Sequence, residues 1–78
     1  MDDIHQVEIV IHVDETLNEE KRASLVNHIL GRDGVEKARF TTGREHLMVI
    51  DYDSNKLHST DVLDYVKQEH VHAELIGI

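Results

Sequence analysis

The chain has 78 residues, one domain's worth spanning residues 1–78 with no linker, repeat or low-complexity segment; at this size about 60% of the unfolded surface can be buried. Sixteen Asp and Glu against eight Lys and Arg give a net charge of −8 with no basic cluster, so no nucleic acid is expected as a partner. The absence of cysteine excludes disulfides, thiolate metal sites and thiol catalysis, leaving a non-thiol metal, an oligomer or a compact core to stabilise a small fold.

The opening "MDDIHQ" carries neither a basic n-region nor an apolar h-region, and no apolar run approaches the roughly 20 residues of a membrane helix. A cytoplasmic protein that is not membrane-bound is therefore expected. "IHQVEIVIHV" follows, with Val7, Ile9, Ile11 and Val13 on one parity and Glu8, Val10 and His12 on the other. That alternation predicts a strand with one buried face. The period changes at Thr16, where "TLNE" has the form of a capping box, Thr16 capping and Glu19 reaching back. Leu25, Val26, Ile29 and Leu30 then recur at helical spacing, ended by Gly31 and Gly34.

A second strand is predicted in "VEKARF", a hairpin loop in "TTGRE" and a third strand in "HLMVIDY", apolar on both parities. "HSTDVLDYVKQE" predicts a second helix, capped by His58 or Ser59 and striped by Val62, Leu63 and Val66. "VHAELIGI" closes the chain as a fourth strand. The order β-α-β-β-α-β predicts a ferredoxin-like fold. This is an α/β (α+β) sandwich with a four-stranded antiparallel sheet of order 4-1-3-2 and both helices on one face.

The stretches "DGVEKARF" and "LMVIDYDSNKLHSTDVLDYVKQEHV" resemble the heavy-metal-associated domain family, the fold of copper metallochaperones and of metal-ATPase N-terminal domains. The likeness runs over nearly the whole chain and rests on spacing. The family's motif is Gly-Met-x-Cys-x-x-Cys at the start of the first helix. Counting back from Gly34-Val35 sets Glu15 and Thr16 at the Gly-Met positions and Asn18 and Lys21 at the two Cys positions. Copper(I) needs thiolate or thioether ligands. The resemblance therefore implies the family's fold without its dithiolate chemistry.

Seven histidines stand out, at positions 5, 12, 28, 46, 58, 70 and 72. In the expected topology the end of strand one and the starts of strands three and four share an edge, which gathers His12, Asp14, His46, His70 and His72. His5, His28 and His58 fall elsewhere. If residue 12 opposes residue 72, Asp14 opposes His70, and opposed Cβ atoms lie about 4.5–5.5 Å apart. Such nitrogen and oxygen donors suit zinc, nickel, cobalt or copper(II). The other readings are a solvated edge and a pH-responsive patch in which imidazoles titrate beside Glu8 and Glu74.

The same parity sends Val10, Leu47, Val49 and Ile76 to the sheet face that no helix covers, an apolar patch of the kind that meets another protein or a second copy. Enzyme signatures are missing: the four glycines are turn or end positions, and no Ser or Thr sits in a nucleophile motif. Asp61, Asp64, Glu19 and Glu20 read as helix-dipole complements and a solvated face. Two functions are expected in parallel. One is a non-enzymatic module holding metal through histidine and carboxylate. The other is a metal-free docking or dimerisation domain using the open face.

Overall fold

The computed structural model describes residues 5–77. The elements are β1 (Gln6–Val13), α1 (Glu19–Leu30), β2 (Val35–Thr41), β3 (Arg44–Asp53), α2 (Ser59–Lys67) and β4 (Ala73–Gly77). All strand pairs are antiparallel, in the order β2-β3-β1-β4, which is the expected 4-1-3-2 read from the other edge. The ferredoxin-like layout is thus present.

Alternation in β1 does what its residue types require. Ile9, Ile11 and Val13 are fully buried, while Val10 and His12 on the other parity are half-exposed. Leu25 and Ile29 of α1, Val62 and Val66 of α2, and Met48 and Ile50 of β3 complete the core against them. Burying an aliphatic side chain of this size contributes about 1.5–3 kcal/mol. The double-parity apolar content of β3 follows from its central position. Ile50 opposes Ile9 and Ala38 on the helix side, while Val49 opposes Val10 and Arg39 on the other. Thr41 pairs with Arg44, so Thr42 and Gly43 form a two-residue hairpin loop, and Gly43 takes a positive φ of 80°, which glycine adopts without steric cost.

Three local expectations need correction. α1 is capped by Asn18, whose side chain accepts from the Lys21 N–H at 2.8 Å, and the helix starts at Glu19. Thr16 is not the cap, because two further residues, Leu17 and Asn18, continue the loop before helical geometry begins. Leu30, counted in the apolar stripe, is 41% exposed at the helix's end. The fourth strand starts at Ala73, so Val71 and His72 precede it. At the two ends, Ile4 and Ile78 of the predicted strands lie outside the described residues. α2 is capped at His58, whose backbone N–H donates to Asp61 Oδ2 at 2.8 Å.

Candidate metal centre

β1 ends at Val13 beside the start of β4, and the register decides what meets there. His12 opposes Glu74 and Val13 opposes Ala73; the Asp14 N–H donates to the His72 carbonyl at 2.8 Å. The expected pairing of residue 12 with residue 72 is therefore displaced by two positions, because β4 begins later than its apolar pattern suggested. A shift of two preserves parity. His12 keeps its place on the uncovered face, but its direct neighbour is a carboxylate.

The side chains follow. His12 Nδ1 lies 2.8 Å from Glu74 Oε2 and 3.0 Å from Asp14 Oδ1. One donor atom from each of His12, Asp14 and Glu74 falls within 4.8 Å of the other two. Donating to Glu74, and secondarily to Asp14, raises the His12 pKa above 6.5 despite some desolvation. Asp14 is lowered from 3.8, its hydrogen-bond contact with Glu74 leading and that with His12 following.

His46, at the start of β3, stacks on His12 with ring centroids 5.6 Å apart and planes inclined by 16°. Its Nδ1 stands 2.7 Å from the Val13 carbonyl oxygen. A carbonyl can only accept, so Nδ1 carries the proton and donates, and the neutral ring presents Nε2 as a lone pair. A ring nitrogen tied to a backbone carbonyl is the usual support of a ligating histidine.

His72 and His70 are placed differently. Glu15 claims His72: its carboxylate accepts from the His72 backbone N–H at 2.9 Å (Oε1) and 3.1 Å (Oε2), and its Oε2 lies 2.7 Å from Nδ1. Glu15 raises the His72 pKa above 6.5, and in return falls below 4.5. Asp14 and Glu74 add smaller favourable charge interactions to His72, so it borders the cluster without joining it. His70 takes a left-handed conformation (φ 66°) in the turn after α2. There it lines a cleft of about 480 Å³ together with Thr16, Lys21 and Ser24. His28 bonds to Glu69 at 2.6 Å and stays apart, as do His5 and His58.

Of the residues expected as ligands, His12 and Asp14 lie together and His46 stacks beside them, while Glu74, expected only as a titrating neighbour of the imidazoles, is the third member of the cluster, and Glu15 was not expected there. Glu74 had a usable signal in its shared parity with His12. Glu15 had none, since its reach across to residue 72 depends on the path of the loop.

No family model and no curated protein matches the chain. Solved structures do. The copper-binding domain of HMA7, a P-type ATPase, superposes with a TM-score of 0.80 at 17% identity, covering 90% of this chain and 93% of that one. The yeast copper transporter domain Ccc2a gives 0.77 at 13% identity, covering 90% and 94%. Oxidized MerP from Ralstonia metallidurans CH34 gives 0.77 at 13% identity, covering 90% and 96%. The chain therefore has the heavy-metal-associated domain fold and carries no cysteine. Asn18 and Lys21, which the count from Gly34-Val35 sets at the cysteine positions, offer an amide and an ammonium, and the Asn18 amide is committed to capping α1. That donor set does not fit copper(I). Among the described residues, no helix is long and apolar enough to cross a membrane.

Proposed function

We propose that the protein is a non-enzymatic, cytoplasmic metal-handling module that holds a divalent transition ion at the β1–β4 edge instead of copper(I) at the helix start. The observation that carries this reading is the convergence of His12 Nδ1, Asp14 Oδ1 and Glu74 Oε2. Ligands about 2.1 Å from a tetrahedral zinc ion are about 3.4 Å apart, so a set already within 4.8 Å needs only a small closing motion. The ion would displace the proton now shared between imidazole and carboxylates. His46, its Nδ1 held by the Val13 carbonyl, offers Nε2 as a further donor beside His12, while His72, held by Glu15, and His70, in the neighbouring cleft, stay outside the set. One nitrogen and two oxygens suit zinc, nickel, cobalt or copper(II). An exposed three-donor edge leaves coordination positions open, as a site that passes its ion onward requires.

Calorimetric titration of zinc, nickel, cobalt and copper(II) tests the site. The wild type binds one ion, His12→Ala and Glu74→Gln each weaken it at least tenfold, and His70→Ala changes little. No binding by the wild type, or binding indifferent to His12, sinks the proposal.

A second reading is protein docking through the uncovered sheet face. Val10 directly opposes Val49, Leu47 lies beside His12, and Ile76 is 54% exposed. A register irregularity falls beside Ile76, so that Gly77 lies opposite Val10.

A further inference from the structure

The uncovered face is patterned by charge as well as by apolar residues. Cross-strand partners share a face, so the ladder gives its map directly. One row runs Glu8–Asp51–Lys37, the next Gly77–Val10–Val49–Arg39, and a third Glu74–His12–Leu47. The β2 edge is therefore basic, through Lys37 and Arg39. The centre is apolar through Val10, Leu47 and Val49, with the buried Asp51 at the end of β3 between Glu8 and Lys37. The β1–β4 side is acidic, through Glu8 and Glu74. Lys37 and Arg39 are both exposed, and neither forms an ion pair within the described residues.

We propose that this face packs against the same face of a second copy, with the β2 edge of each subunit over the β1–β4 side of the other. This names the occupant of the docking reading and rests on it. A two-fold axis lying between two facing sheets and running along the strands exchanges the sheet's lateral edges. It brings β2 of one copy over β4 of the other, twice. The basic strip then lies within reach of Glu8 and Glu74, and β1 of each copy crosses β3 of the other, setting Val10 over Val49 and Leu47 over His12. Face-to-face sheets pack at about 10 Å, within reach of these side chains. An axis across the strands would instead set Lys37 and Arg39 against themselves, so the charge pattern selects the first arrangement. The drive is burial of a one-sided sheet in a small chain. With −8 on each copy, long-range repulsion opposes encounter, and about 0.15 M salt confines it to about 8 Å.

The test is mass in solution by sedimentation, at about 0.15 M salt and with a chelator present so that metal is not a variable. The wild type reaches twice the chain mass with rising concentration. Val49→Glu shifts the midpoint at least tenfold. The variants Lys37→Glu/Arg39→Glu and Glu8→Lys/Glu74→Lys each lose self-association, and their equimolar mixture regains it as a heterodimer. A wild type that stays monomeric to millimolar concentration overturns the second-copy arrangement and leaves docking to another partner standing. A dimer indifferent to Val49→Glu overturns both, because the face is then not the contact. A dimer lost in both charge variants and not restored on mixing overturns the proposed axis.

Discussion

Asn18→Ala isolates what holds the start of α1. The Asn18 side-chain oxygen accepts from the Lys21 N–H at 2.8 Å, satisfying one of the donors a helix start leaves without a partner. Removing such a cap costs about 1 kcal/mol. For a domain of this size, 1 kcal/mol at the midpoint corresponds to a fall in Tm of about 4–8 °C. Thr16→Ala is the control: Thr16 is exposed, two residues upstream, and its loss should stay within about 0.5 kcal/mol. Thermal unfolding followed by circular dichroism, with urea midpoints as a cross-check, reads both. The reasoning is refuted if Thr16→Ala is the costlier change, since the helix would then begin where the sequence signature, not the structure, sets it. Asn18→Gly gives a finer check, because glycine at a cap costs only a few tenths of a kcal/mol relative to asparagine.

Other perturbations follow from the same coordinates. Gly34 holds φ +98°, and a Cβ there would come within 2.9 Å of Leu57 Cδ1, so Gly34→Ala should destabilise by about 2–4 kcal/mol in urea denaturation. Asp51 is buried, with Oδ2 accepting from Gln6 Nε2 at 3.1 Å and Oδ1 without a partner among the described residues. Gln6→Ala should therefore cost about 1–3 kcal/mol, and Asp51→Asn in that background should recover part of it. The His72–Glu15 pair predicts a pH window. Raised above 6.5, His72 contributes stability that is complete below that value and lost as pH climbs through its folded pKa. Glu15, lowered from 4.5, contributes above that value and loses its part as pH falls through its folded pKa. The pair is thus fully effective between 4.5 and 6.5. Glu15→Gln should bring the His72 NMR titration back towards 6.5, and an unmoved midpoint would contradict the contact.

How far the sequence could be read depends on which physical signal each feature leaves in it. Period-2 and period-3.6 patterns reflect burial, and burial produced all six elements and the one-sided sheet. Side-chain parity is part of the same signal, so Ile9, Ile11 and Val13 go in and Val10 and His12 go out without knowledge of any partner. Register is a different quantity, set by where the turn after α2 releases the chain. His70 takes a left-handed conformation there, and residues 71 and 72 are spent before the ladder begins at Ala73. Nothing in the alternation of "VHAELIGI" marks that delay. A two-residue displacement leaves every side chain on its expected face and changes every partner. The consequence is chemical. Opposing His12 with His72 would have made a nitrogen-rich site leaning towards nickel or copper(II). Opposing it with Glu74, and holding His72 on Glu15, makes one nitrogen and two carboxylates, a harder set in which zinc and cobalt compete on better terms. The preference among ions in the titration therefore reports the β1–β4 register. A strong, His72-dependent selection for copper(II) over zinc, beyond the order expected of the ions themselves, would mean that the strand can slide by two residues to bring the imidazoles together.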